Sequence, residues 1–100
     1  MVVRSKTVHP TTEAAETLAL TALAFLAGDP ARLVRFLNLT GFSAETLRQS
    51  AAEPATLASV LEYLLADEPL LLVFAADHGL DPTDVSRAQM VLGGSTPTND

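Results

Sequence analysis

The segment Phe36-Leu37-Asn38-Leu39-Thr40-Gly41-Phe42-Ser43 returns thirty-eight residues downstream as Phe74-Ala75-Ala76-Asp77-His78-Gly79-Leu80-Asp81. Upstream segments echo too: Thr17-Leu18-Ala19 against Thr56-Leu57-Ala58, and Phe25-Leu26-Ala27 against Leu64-Leu65-Ala66. Two tandem helical units of nearly forty residues therefore fill the 100-residue chain. What recurs is scaffold: leucines, helix caps and the glycine that ends a helix. No set of reactive side chains recurs with it. Gly stops and Asp-Pro starts are common in helical chains, so the echo fits either duplication or convergent helix punctuation.

That punctuation predicts a compact all-α bundle of five or six short helices, read as two pseudo-repeated units. Thr11 or Thr12 caps a first helix that runs to about Ala27, with Glu13 and Glu16 in the opening turns where the macrodipole favours anions. Gly28 ends it and Asp29-Pro30 starts the second, since proline at the first helical position gives up a hydrogen bond that is unmade anyway. Leu33, Phe36, Leu37 and Thr40 are expected inward there, with Arg32, Arg35 and Asn38 toward water. Ser43 caps a short third helix carrying Leu47, and Glu53-Pro54 opens a fourth. Its stripe Leu57, Val60, Leu61, Leu64, Leu65 keeps helical spacing. Asp67-Glu68-Pro69 begins a fifth helix, Leu70 to Ala76, that is apolar on every face and so reads as central or as covered by a partner. Asp81-Pro82 starts a sixth, with Val85, Ala88 and Leu92 inward. Along the first helix, Thr17, Thr21, Ala24 and Gly28 form a small-residue stripe expected to let a neighbour come close. Residues 1–10 read as a flexible arm, 11–93 as one helical domain, and 94–100 as a disordered tail.

Composition narrows the function classes. Apolar residues make up 48% of the chain, enough for a core without staples, and there are no cysteines for disulfides or thiolate chemistry. Six basic groups stand against twelve acidic ones, a formal net charge of −6. A duplex-binding surface needs a basic stripe. The candidates for one are only Arg32, Arg35 and Arg48, with Arg87 elsewhere. Arg4 and Lys6 ahead of the run Leu18–Ala27 have the order of a signal peptide, but Glu13 and Glu16 directly before that run argue against it. Neither apolar run reaches the roughly 20 residues of a membrane span. A cytoplasmic protein with no membrane association is expected.

The reactive residue types all have local structural duties. His78, in Asp77-His78-Gly79-Leu80-Asp81-Pro82-Thr83-Asp84, is expected at a helix C-terminus. There its cation meets the negative dipole end, while Asp81 caps the next helix and Asp84 stands in its first turn. The spacing fits neither an EF-hand nor a paired-histidine zinc site. Ser43 lies in Gly41-Phe42-Ser43-Ala44-Glu45, where a nucleophile elbow needs a second glycine at position 45 and a preceding strand. A cap is the reading that remains, and His9 in the arm is a poor partner base. No phosphate loop, dinucleotide fingerprint or carboxylate pair with a companion base is present. The expectation is no enzyme, no cofactor and no metal.

Glu16-Thr17-Leu18-Ala19-Leu20, Phe25-Leu26-Ala27-Gly28-Asp29-Pro30, Arg35-Phe36-Leu37, Thr40-Gly41-Phe42, Val60-Leu61 and Leu64-Leu65-Ala66-Asp67-Glu68 together resemble a family of small bacterial helical proteins known as a domain of unknown function. The resemblance covers most of residues 16–88. It implies an all-helical fold and a bacterial cytoplasmic setting, and supplies no activity. Residues 31–67 also resemble, over a shorter span, the ubiquitin-associated three-helix domain. Gly41-Phe42 matches the glycine and aromatic of that family's Met-Gly-Phe loop, with Thr40 replacing the methionine, and Leu64-Leu65 matches its paired leucines. The resemblance implies an exposed apolar patch for a protein other than ubiquitin, built from Gly41, Phe42, Leu64 and Leu65. Phe42 plugging the core beneath Gly41 is the alternative.

The leading expectation is a non-enzymatic interaction module or homo-oligomeric scaffold, its partner an unidentified protein or a second copy. The apolar residues near Phe42 and Leu65, or the Leu70–Phe74 helix, would make the contact. The alternative is a small regulatory domain that touches nucleic acid through Arg32, Arg35 and Arg48, against the grain of the acidic charge.

Overall fold

Local capping chemistry sets the bounds of six helices: α1 (Thr12–Ala27), α2 (Pro30–Thr40), α3 (Ala44–Ser50), α4 (Pro54–Leu65), α5 (Glu68–His78) and α6 (Pro82–Gly93). The computed structural model describes residues 10–93. The expected arm, apart from Pro10, and the expected tail lie outside the described residues. Side-chain oxygens of Thr11, Asp29, Ser43 and Asp67 each accept from backbone N–H groups in the first turn of the helix that follows. Each satisfies a donor that no intrahelical carbonyl can reach. Glu53 departs from this pattern: it holds the cap position of α4 without a side-chain bond, ahead of Pro54.

The three glycines expected to stop helices divide into two kinds. Gly41 and Gly79 are left-handed, at φ 83° and 64°, and their N–H groups donate to Leu37 and Ala75 carbonyls. Gly28 stays right-handed at φ −72° and donates back to Ala24 O. The chain turns sharply at Gly28-Asp29, with α1 and α2 bent by 114°. No single described helix is long and apolar enough to cross a membrane.

One hydrophobic core draws side chains from all six helices, with α4 at its centre. α4 lies chiefly against α6 and α1, and α1 and α6 also pack on each other. Leu57, Val60, Leu61 and Leu64 of α4 are buried, as are Val85, Ala88 and Leu92 of α6. α5 is not the central helix that its composition suggested. It buries Leu71, Phe74 and Ala75 and leaves Leu72 and Val73 at the surface. The close-approach stripe of α1 also differs from expectation. Ala15, Ala19 and Ala22 are fully buried, whereas Thr17, Ala24 and Gly28 are exposed. Both sets have small residues at helical spacing. The Ala15–Ala19–Ala22–Leu26 face is the one without hydroxyls to satisfy, and it is the one that meets the bundle.

The internal echo extends to helix bounds and burial, with one correction of register. A shift of thirty-eight residues carries the bounds of α2 onto α5, the end of α1 onto the end of α4, and the start of α3 onto the start of α6. It also carries buried residues onto buried residues: Ala19 onto Leu57, Ala22 onto Val60, Leu26 onto Leu64, Phe36 onto Phe74, and Leu47 onto Val85. The letter matches in α1 and α4 suggest thirty-nine. A shift of thirty-nine also pairs buried residues, Ala19 with Ala58 and Ala22 with Leu61, but sends buried Leu26 onto half-buried Leu65. Helix bounds and burial together favour thirty-eight. The units differ at their last helix, since α3 is one seven-residue stub and α6 runs twelve residues across α1 and α4.

Candidate interaction site

The residues expected to form a partner patch separate in the fold. Leu64 is fully buried and belongs to the core, so it leaves the expected patch. The reason is its position on the inward stripe of α4, one turn after Val60 and Leu61. Leu65, the next residue round the helix, is half-buried against the same core. Gly41 is exposed at the αL turn, and Phe42 is half-buried. The Phe42 ring stacks on Phe36 with centroids 6.0 Å apart and planes 19° apart. Phe42 is thus neither fully buried nor fully exposed. Residues 31–67 do not close a three-helix unit of their own, because α4 packs mainly on α6 and α1 rather than on α2.

Phe42 belongs to an aromatic run that continues inward. Phe36 is fully buried and meets the Tyr63 ring edge-on, with centroids 5.0 Å apart. The repeat places Phe74 and Phe25 at the positions equivalent to Phe36 and Tyr63, and those two rings are also in contact, at 5.2 Å. There the resemblance ends. His78 packs against Phe74 at 4.9 Å, Arg32 sits 4.4 Å over the Phe25 ring, and Leu80 replaces Phe42. The second aromatic site is thereby closed by its own neighbours.

The first aromatic site opens instead into a groove of about 720 Å³ between α2, the 41–43 loop, the end of α4 and the start of α5. Leu39 and Phe42 give it apolar walls, and the Tyr63 ring lies behind them. Glu62, Asp67 and Glu68 stand on the far side, and among the described residues Arg35 is the only basic one lining the groove. Leu39 is 64% exposed and Val34, on the same helix, 56%. These are the two most exposed large apolar side chains among the described residues. The sequence reading passed over both. A usable signal was there: Val34 and Leu39 fall outside the Leu33–Phe36–Leu37 arc of an otherwise amphipathic helix.

The polar groups of the groove are committed unevenly. Hydroxyls of Thr40 and Ser59 donate to the carbonyls of Phe36 and Ala55. Asp67 Oδ1 accepts from Leu70 N as the cap of α5, and Glu62 Oε2 accepts from Gln89 Nε2 at 3.2 Å. The Tyr63 hydroxyl is sealed from solvent and has no hydrogen-bond partner among the described residues. No carboxylate of the described residues comes within 4.0 Å of Arg35.

The arginines of the alternative reading do not join into one basic face. Arg32, expected to face water, is held over Phe25 and lies 4.0 Å from Asp29. Arg35 lines the same groove as the three carboxylates, and Arg48 lies on α3 at a separate apolar hollow lined by Leu23, Leu33 and Leu47. Ser43 accepts from Thr46 N at 3.0 Å and donates to Thr46 Oγ1, the work of a cap. Asp81 accepts from Thr83 N and Thr83 Oγ1, and Asp84 reaches back to Asp81 N, a reciprocal box at the start of α6. The backbone N–H of Thr83, then its hydroxyl, hold the Asp81 carboxyl below its ordinary value. His78 is exposed at the end of α5. No group of three or more His, Asp or Glu side chains among the described residues converges as a metal site would require.

The family described as protein of unknown function (DUF3572) matches residues 12–95, a span that takes in all six helices. No curated protein and no solved structure matches the chain.

Proposed function

We propose, for a chain that belongs to the family of unknown function DUF3572, that it acts without catalysis, as a small helical module that docks another protein. The docking face is the groove beside Phe42 together with the outer face of α2. One observation carries this reading: Val34 and Leu39, the most exposed large apolar side chains among the described residues, lie on one helix, Leu39 lining the groove and both lining a shallow hollow next to it. Leaving such side chains in water forgoes burial worth roughly 1.5–3 kcal/mol each, so a partner that covers them gains binding free energy at once. The aromatic run Phe42–Phe36–Tyr63 ties the groove wall to the core and gives the face a rigid backing.

The test compares capture from native extract by wild-type protein and by a Leu39→Asp variant. Leu39 suits this better than Phe42, because its side chain is not among those packed on the core. A protein retained by the wild type and lost with the variant, both folded by circular dichroism, is the expected result. Identical eluates would remove the reading. The nucleic-acid alternative draws on Arg32, Arg35 and Arg48. It requires a salt-sensitive gel shift that disappears in the Arg32→Ala/Arg35→Ala variant. The engagement of Arg32 with Phe25 and Asp29 weighs against it.

A further inference from the structure

We infer that the partner of this groove presents a basic segment: one or two apolar side chains flanked by lysine or arginine. The inference rests on the interaction reading above and specifies the chemistry that would satisfy it. Leu39 and Phe42 supply an apolar seat. Around it stand the carboxylates of Glu62, Asp67 and Glu68, against Arg35 as the one guanidinium among the described residues. An occupant with only apolar surface would strip the remaining water from those three carboxylates, of which Glu62 and Asp67 each keep one internal hydrogen bond, and bring no cation to offset the loss. Cations placed beside the apolar anchor restore the lost interactions and steer the encounter as well.

The same count of charges decides against a second copy. Counting the described residues, a two-fold contact through this face would bring six carboxylates together with two guanidiniums, between chains that each carry a net charge of −6. Isologous interfaces need a self-complementary patch, and this one repels itself. Nucleic acid and anionic lipid are disfavoured by the same sign.

The experiment is an NMR titration of the ¹⁵N-labelled full chain with three capped synthetic peptides of one length. The first alternates leucine with lysine, the second leucine with glutamate, and the third leucine with serine. The lysine peptide is expected to shift the amide signals of Leu39, Phe42, Tyr63 and Glu68 saturably. Its affinity should fall by about tenfold as salt rises and shortens the Debye length from roughly 30 Å to 8 Å. A Glu62→Gln/Glu68→Gln variant should weaken it about fivefold or more while leaving the fold intact. Equal binding of the glutamate or serine peptide at the same signals would overturn the basic-partner inference and leave the docking reading standing. Groove signals that none of the peptides moves would overturn the inference too. The capture experiment with Leu39→Asp then judges the docking reading separately. A concentration-dependent mass by light scattering, with groove signals broadening in the protein alone, would replace the basic partner by a second copy.

Discussion

Replacing glycine by alanine at the three helix ends provides a controlled contrast, because all three glycines follow a helix but differ in backbone conformation. At Gly41 and Gly79 an added Cβ meets no atom within 4 Å, so no steric clash contributes. What remains is the left-handed backbone, at φ 83° and 64°, which costs an alanine about 1–2 kcal/mol. Alanine also restricts the unfolded chain, which returns about 0.4–1 kcal/mol. The net expectation is a loss of about 1 kcal/mol for each of Gly41→Ala and Gly79→Ala, or about 4–8 °C in Tm for a domain of this size. The two sites lie on separate helices, so the double variant should lose about 2 kcal/mol by additivity. Gly28 is right-handed, and a Cβ there comes 3.3 Å from Ala24 O, a tight contact but no strained dihedral. Gly28→Ala should therefore stay within about 0.5 kcal/mol of wild type. Urea unfolding followed by circular dichroism, with an unchanged m-value, reads all four proteins. Gly41→Asn serves as the control, since asparagine tolerates the left-handed region and should recover part of the loss. The reasoning fails if Gly28→Ala is as damaging as the other two, or if Gly41→Asn is no better than Gly41→Ala.

Three further outcomes are expected. Ala19→Leu or Ala22→Leu, on the buried face where α1 meets its neighbours, should lose about 1–3 kcal/mol by overpacking. Ala24→Leu on the exposed side should change stability by less than about 0.5 kcal/mol in the same urea assay. Tyr63→Phe removes a sealed hydroxyl without a partner and should raise stability by about 1 kcal/mol. A loss of that size in thermal unfolding would mean that the hydroxyl is satisfied after all. Asp81 has a carboxyl held below its ordinary value by Thr83, so its contribution is complete above about pH 4 and disappears as pH falls through the lowered folded value. The gap in urea midpoint between wild type and Asp81→Asn should thus narrow as the pH drops below that point. A gap that widens on acidification would contradict the assignment.

The positions of the helices were legible in the sequence because they are decided within four residues of each end. Thr11, Asp29, Ser43 and Asp67 cap where they stand because the donors they satisfy are two or three residues away. The stripes Leu57–Val60–Leu61–Leu64 and Val85–Ala88–Leu92 were readable for a similar reason: when one face is apolar and the other polar, periodicity alone selects the buried side. α1 and α5 lack that contrast. Their burial was settled by helices far off in the chain, which chose Ala15, Ala19 and Ala22 over Thr17, Thr21 and Ala24, and left Leu72 and Val73 outside. The groove belongs to the same class. Leu39, Phe42, Glu62 and Glu68 are up to twenty-nine residues apart and meet only because α2 ends beside the α4–α5 turn. Sequence by itself determined an all-α bundle of five or six helices, their caps and a core of leucine and alanine, because those rest on local hydrogen bonds and spacing. Tertiary packing decided which apolar side chains the core had no room to cover, and so where this protein has a face to offer.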